Sequence, residues 1–145
     1  MKARLKESSL NLSDKQVYKQ AEHMVYLKKI SLSDEDYSLL GWFLQNHPDV
    51  KKLVLDDVNI KNGELSLLLN QLQKIRTLES LKFINTSLND DAEKIADFLQ
   101  AGTSIRALQI DGLIGYKAAI KLNTVARQLS INVYLKPCYS DIFNF

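Results

Sequence analysis

The chain has 145 residues, of which 46% are hydrophobic and 25% charged, values typical of one globular domain. Its net charge of +2 creates no strong field to attract nucleic acid or anionic lipid, so we expect neither nucleic acid nor a membrane as a partner. Apolar runs as long as a membrane-spanning helix needs are absent from the sequence, so no span is predicted.

Cysteine usage and the N-terminal sequence bear on the compartment. Cys138 is the only cysteine, so the chain has no internal disulfide and does not require an oxidising environment. The first ten residues, MKARLKESSL, carry basic side chains but lack the apolar core of a secretory signal peptide. We therefore expect a cytoplasmic protein, or one secreted into a host cell without a signal peptide.

The N-terminal segment predicts a short strand followed by a helix. Residues 1–9 are polar and charged, and the alternation at 10–12 indicates a strand. Ser13 and Gln16 have the spacing of a capping box, which marks a helix start. Apolar residues then recur at helical spacing, at Val17, Ala21, Met24 and Val25.

A second strand and helix are predicted from Ile30 onward. Residues 30–32 alternate like a strand, and Ser33 is placed to cap a helix whose first turn is acidic. Pro48 disfavours helical geometry at His47 and ends that helix. The predicted inward stripe of the helix consists of Tyr37, Leu40, Phe43 and Leu44.

From Val50 onward one unit recurs. VKKLVLDDVNI begins at Val50, LESLKFINTSL begins at Leu78, and IRALQIDGL begins at Ile105. Apolar side chains two positions apart, such as Leu53 and Leu55, point to the same side of a strand. Helical apolar stripes follow the units, at Leu65, Leu68, Leu69, Leu72 and Ile75; at Ala92, Ile95, Ala96 and Leu99; and at Ala118, Ala119, Leu122, Val125, Ala126 and Leu129.

The C-terminal part predicts one further helix, one strand and a tail. The last helix covers about residues 116–129. Residues 131–135 then alternate as a strand whose register is shifted by a single position, and Pro137 stops it. The tail, residues 137–145, is short and aromatic, and three interpretations stay open: a cap, a disordered segment, or a peptide that another protein recognises.

The pattern LxxLxLxx(N/C/T)xL, at a period of about 27–28 residues, resembles the leucine-rich repeat, in its helix-containing, ribonuclease-inhibitor-like form. The resemblance covers residues 25–136 and implies an α/β fold. It implies a right-handed solenoid of about five to six short repeats, with a parallel sheet on one face and helices on the other. At the ninth position, where family members often have Asn or Cys, this chain has Val58, Thr86 and Leu113, of which only Thr86 can hydrogen-bond neighbouring backbone.

This resemblance predicts a single domain over residues 1–145. Residues 1–49 would form short N-terminal capping repeats and 50–136 the main repeats. If the first two predicted strands are anchored on Leu12 and Leu32, the first two intervals between successive strands contain fewer residues than the later ones. We expect a monomer.

Sequence patterns of catalytic and metal chemistry are missing. His23 and His47 have no companion ligands at zinc-site spacing, and neither a phosphate-binding glycine loop nor a nucleophile elbow occurs. Acid clusters at 34–36, 56–57 and 90–91 are explained as helix N-terminal caps, and the basic pairs at 28–29 and 51–52 as solvated. No cofactor and no metal are predicted.

Strand alternation predicts a binding face. If Leu53 and Leu55 point inward, their neighbours on the strand point outward, and the same holds for each later strand. The predicted protein-binding residues are Lys52, Val54, Asp56, Ser80, Lys82, Ile84, Gln109, Asp111 and Tyr134, extended by Ala107, Asn132 and Lys136. Burial of Val54 and Ile84 under another layer is the competing interpretation.

The predicted function is a non-enzymatic protein–protein interaction module that binds a protein partner through this face. The alternative is a carboxylate- or metal-dependent enzyme, or an enzyme accessory, using acids such as Asp56 and Asp111. The absence of a signal peptide and the apolar C-terminal Phe143 and Phe145 are also compatible with a bacterial effector.

Overall fold

The computed structural model describes residues 9–10, 18–19, 23–61, 63–88 and 90–137. The predicted capping box at Ser13 and the tail beyond Pro137 lie outside these residues. Seven strands and four helices are found in the described parts. In chain order they are β1 (Ser9–Leu10), β2 (Tyr18–Lys19), β3 (Met24–Lys28), α1 (Asp34–Gln45), β4 (Lys52–Asp56), α2 (Glu64–Leu72), β5 (Ser80–Ile84), α3 (Glu93–Gln100), β6 (Ala107–Gly112), α4 (Tyr116–Leu129) and β7 (Asn132–Pro137).

The protein is an α/β fold with a five-stranded, all-parallel sheet, as the sequence predicts. The strands lie in chain order from β3 to β7, so each strand pairs with the next one in sequence. A helix connects each consecutive pair, which is the crossover that parallel neighbours require. β1 and β2 form a separate antiparallel pair. No helix in the described parts of the chain is both long and apolar enough to cross a bilayer.

The core lies between the sheet and the helices. Each strand of β4, β5 and β6 sends two apolar side chains to this side, and all six are buried, as predicted. They join one core cluster with the helix stripes, in which Leu68, Ile95 and Leu122 are fully buried. The other side of the sheet, which we call the outward face, contributes no residue to this cluster.

A backbone hydrogen-bond motif recurs where β4, β5 and β6 begin. The carbonyl of His23 accepts from the amides of Lys51, at 2.8 Å, and Lys52, at 3.0 Å. The carbonyls of Lys51 and Glu79 are double acceptors in the same way, one and two repeats later. These backbone groups are therefore satisfied between repeats, and the strands are held in a common register.

A second motif recurs where three of the strands end. Lys29, Asp57 and Asn85, at equivalent positions of successive repeats, all have left-handed backbone conformations, with φ of 54°, 57° and 51°. The amide of each donates to a carbonyl of the next strand, at 2.9, 2.8 and 2.6 Å. Asp and Asn tolerate this conformation better than most side chains. The chain thus leaves each of these strands by the same turn.

The first strand of the sheet is not where the sequence analysis put it. Met24 and Val25 were expected in a helix, but they belong to β3, and Tyr18–Lys19 within the same predicted helix is also a strand. Residues 30–32 make only an isolated bridge, between Ser31 and Asn59. Leu32 is therefore wrong as a strand anchor. The strand is β3, which pairs with β4 along its whole length, and this pairing outweighs the apolar spacing at Met24 and Val25 that also fits a helix.

With β3 as the first strand of the sheet, the number of residues between equivalent positions of successive strands becomes nearly constant. Leu27 pairs in register with Leu55, and Leu55 pairs with Phe83, so the first interval between repeats equals the next one. Ile30 and Leu32 remain buried, and they follow Leu27 as Val58 and Ile60 follow Leu55. The shorter interval that was expected before β4 is therefore absent.

The capping of α1 is confirmed. The Oγ atom of Ser33 accepts from the amide of Asp36 at 3.2 Å, and the Asp36 carboxylate accepts from the amide of Ser33 at 2.9 Å. This reciprocal pair satisfies two of the free donors at the helix start and explains why the Asp36 carboxylate is tolerated when fully buried.

Two helix predictions need correction. Ile75 lies beyond the end of α2, although it is buried and its amide donates to Leu72 at 3.0 Å. Leu129 was expected to pack inward, but it is 41% exposed, because it lies in the last turn of α4, beyond the buried stripe. The bounds predicted for α4 are confirmed.

The ninth position of the repeat behaves differently in each unit. Val58 is buried among apolar side chains, whereas the buried Thr86 hydroxyl donates to the carbonyls of Ile84, at 2.9 Å, and Leu55, at 3.3 Å. Leu113 is largely exposed, and the next residue, Ile114, fills the core instead. Thr86 is thus confirmed as a hydrogen-bonding residue. In the third unit the buried residue after the strand is displaced by a single position, from Leu113 to Ile114.

Leu81→Asp is expected to unfold the protein. Leu81 is fully buried between neighbouring strands and the helices, and an unpaired carboxylate there costs several kcal/mol, comparable with the stability of a small domain. Thermal unfolding followed by circular dichroism should lose its cooperative transition. Ser80→Asp, which adds the same group on the outward face, is the control and should melt like the native protein. A cooperative melt of Leu81→Asp would contradict the register.

Candidate functional site

The outward face carries three rows of side chains that cross all five strands. Because the strands are parallel and in register, residues at equivalent positions lie side by side, about 4.8 Å apart. The first row is Met24, Lys52, Ser80, Ala107 and Asn132. The middle row is Tyr26, Val54, Lys82, Gln109 and Tyr134. The third row is Lys28, Asp56, Ile84, Asp111 and Lys136.

All nine predicted binding residues lie in these rows. The offset before β7 is absorbed between Ile131 and the strand, so Tyr134 lies beside Gln109 as predicted. Tyr134 is 57% exposed, which leaves most of its ring accessible to a partner. The rows therefore bring together side chains that are far apart in the sequence, from Lys52 on β4 to Tyr134 on β7.

Val54 is the exception among the predicted contact residues. It points to the outward face but is only 4% exposed, and it does not belong to the core cluster on the other side of the sheet. Its neighbours in the middle row, Tyr26 and Lys82, are both larger and half-buried. Val54 therefore offers almost no surface to a partner, while Ile84 in the third row remains partly accessible.

β3 adds three residues to the face that the sequence analysis missed, namely Met24, Tyr26 and Lys28. The hydroxyl group of Tyr26 donates a hydrogen bond to the carboxylate of Asp56 on the neighbouring strand. The sequence held the signal, because VYL at positions 25–27 precedes LVL at positions 53–55 by one repeat.

The face contains two adjoining depressions. One, of about 340 Å³, is lined by His23, Met24, Lys51, Lys52, Glu79 and Ser80. The other, of about 210 Å³, has among its lining residues Ser80, Lys82, Ala107, Gln109, Asn132 and Tyr134. Ser80 lines both, so the depressions adjoin at β5, and together they extend from β3 to β7. We call the two depressions together the groove.

The carboxylates named for the alternative function are separated. Asp56 and Asp111 are in the same row, but Ile84 lies between them, so their strands are about 9.6 Å apart, too far to share a cation. No group of three His, Cys, Asp or Glu side chains placed to hold a metal is found among the described residues.

The acid clusters only partly act as helix caps. Asp36 caps α1, but Asp56 and Asp57 do not cap α2, whose first residue is Glu64. Asp56 lies within β4, and Asp57 forms the left-handed turn after it. At α2 the Glu64 carboxylate itself accepts from the amide of Lys61, at 3.1 Å.

The remaining acid cluster and the histidine at the end of α1 have local structural roles. Asp91 accepts from the amide of Gly63 at 3.4 Å and pairs with Lys94 at 3.7 Å. Nδ1 of His47 donates to the carbonyl of Phe43 at 2.8 Å, and the two rings stack at 3.9 Å. This confirms His47 as a partner of the carbonyls at the helix end.

The aromatic residues of α1 are divided between the core and the surface. Tyr37 and Phe43 are buried, and the hydroxyl group of Tyr37 donates to Glu64 at 3.4 Å. Burial is the main cause that raises the pKa of Tyr37 above its usual range, and the nearby negative charge of Glu64 is the second cause. The phenol therefore stays neutral. Trp42 is 44% exposed on the other side of the helix. A core role, as predicted, accounts for the first two rings.

No protein-family model matches the chain, and a search of curated proteins finds no relative. Support for a function therefore comes from the geometry of the outward face. That face is the one surface toward which the predicted residues from four strands converge.

Tyr26→Phe is expected to lower the free energy of unfolding by about 1 kcal/mol, because it removes the hydrogen bond to Asp56 and keeps the ring. Urea denaturation provides the measurement. Tyr134→Phe is the matched control in the same row, since no described residue accepts a hydrogen bond from its hydroxyl group, and its effect should be near zero. Equal effects of the two changes would show that the Tyr26 hydroxyl group does not stabilise the sheet.

Proposed function

We propose that this chain is a leucine-rich-repeat-like solenoid that acts as a non-enzymatic protein-binding module, with the outward face of its sheet as the binding surface. The observation that carries the proposal is the set of three in-register rows across five parallel strands. The recurring backbone motifs at both strand ends support stacked, equivalent repeats. A right-handed course of the crossovers is the strongly favoured hand for parallel strands.

The composition of the face suits a protein partner. Tyr134 offers an exposed aromatic ring beside Lys82, Gln109 and Asp111, and aromatic anchors carry much of the energy of protein interfaces. The strands hold these side chains on a rigid support, which lowers the entropy cost of binding. Charges of both signs occur in the third row, which favours a specific protein surface over a uniform polyanion.

We also propose that the chain is a monomer that acts in the cytoplasm or, as an effector, in a host cell. A translocation reporter fused to the full chain, compared with one that ends at Lys136, would test the effector role. Equal delivery of both fusions would refute a translocation signal in the tail.

The binding role is tested with Lys82→Glu, Asp111→Lys and Tyr134→Ala combined. The variant should fold like the native protein and bind its partner more weakly by about 2 kcal/mol or more. Affinity purification from the native or host cell identifies the partner, and titration calorimetry then measures the dissociation constant.

The matched control places the same changes in or just after the helices, as Lys74→Glu, Asp97→Lys and Tyr116→Ala, all at exposed positions. It should bind the partner with native affinity. Loss of the surface ion pair between Asp97 and Lys121 should lower only its free energy of unfolding, by a small amount. Native affinity of the face variant, or loss only in the helix variant, would move the binding surface away from the sheet.

A further inference from the structure

The two depressions of the groove meet at Ser80, and small side chains occupy its central part. Ser80 and Ala107, at the centre of the row, have the smallest side chains on the face. Larger residues line the groove on either side of this centre, among them Lys52 on β4 and Tyr134 on β7. A ligand backbone can therefore approach the sheet most closely in the middle of the groove.

The groove is predominantly basic. Among the described residues, Lys51, Lys52 and Lys82 line it together with a single carboxylate, that of Glu79. No described carboxylate lies within 4.0 Å of the ammonium group of any of these three lysines. Their charges are therefore available to an anionic ligand, whereas the carboxylates of the face lie in the third row, at the other end of the strands.

The backbone along the groove is already satisfied. The amides of Lys51, Lys52, Ser80 and Ala107 all donate to carbonyls of the preceding strand. A ligand in the groove consequently meets side chains and finds no free row of amides with which to pair as an added strand. Charge and shape, rather than backbone pairing, select the ligand.

The dimensions match a short extended segment. Four intervals between neighbouring strands, at about 4.8 Å each, give a groove of about 19 Å. An extended chain covers this length with about six residues. Near β7 the groove borders the exposed ring of Tyr134, which favours an apolar side chain at that end.

We infer that the partner is recognised through an extended acidic peptide segment of about six residues. The segment lies across the strands, with its carboxylates facing Lys51, Lys52 and Lys82 and an apolar side chain against Tyr134. This inference rests on the proposed protein-binding function and names the chemistry of the partner. A single-stranded nucleic acid is disfavoured, because its bases require a series of exposed aromatic rings, whereas Tyr134 is the one largely exposed ring among the described residues of the groove.

The test uses the full chain as bait for a random peptide library displayed on phage. Enriched peptides are synthesised with a fluorescent label, and their dissociation constants are measured by fluorescence anisotropy. The groove variant combines Lys51→Glu, Lys52→Glu and Lys82→Glu. The control variant, Lys61→Glu, Lys74→Glu and Lys117→Glu, changes the net charge equally at exposed sites outside the groove.

Enriched peptides should carry an excess of Asp and Glu and an apolar residue at one end. Their affinity should fall about tenfold or more in the groove variant and much less in the control. Enrichment of neutral or basic peptides, failure to enrich any sequence, or equal losses in both variants would overturn the inference. Tighter binding of a labelled oligothymidylate than of the acidic peptides would assign the groove to nucleic acid instead.

Binding of the natural partner by the two variants distinguishes a failure of this inference from a failure of the proposed function. If the partner is lost by the variant at Lys82, Asp111 and Tyr134 but retained by the groove variant, the acidic-segment inference fails and protein binding by the face stands. If the partner is retained by both variants, both proposals fail. Circular dichroism melts of all the variants establish that they are folded.

Discussion

The common register of the parallel strands is the constraint on which the rest of the structure depends. Each strand has two inward side chains that must meet the equivalent pair on the next strand, as Leu55 meets Leu27 and Phe83. A slip by a single position would turn these side chains outward and bring polar ones such as Lys82 into the core. The register is therefore fixed by burial, and the three outward rows follow from it without further cost.

The backbone reinforces this register at both ends of the strands. Where strands begin, one carbonyl accepts two amides of the following repeat; where they end, a left-handed residue turns the chain in the same way at Lys29, Asp57 and Asn85. A side chain at these turn positions need only tolerate the conformation, which explains why Lys, Asp and Asn all occur there. The outward face thus varies in side-chain chemistry while its backbone stays nearly constant.

Much of the α/β architecture was predictable, because the inward pairs of β4, β5 and β6 and the helix stripes have clear periods. The sequence analysis failed at β3, where Met24 and Val25 also fit the spacing of a helix and only pairing with β4 decides between the two. That failure also hid Tyr26 and its bond to Asp56. The burial of Val54 could not be foreseen, since it depends on the size and position of its neighbours in the row.

Solution NMR of the uniformly labelled chain tests the register most directly, at the strand where sequence and structure disagree. The structure predicts extended-chain chemical shifts for residues 24–28. It also predicts nuclear Overhauser contacts between backbone protons of Met24–Lys28 and Lys52–Asp56, in the pairing that places Leu27 beside Leu55. Helical shifts with strong sequential amide contacts over residues 24–28, and no contacts to β4, would contradict the five-stranded sheet and the outward face built on it.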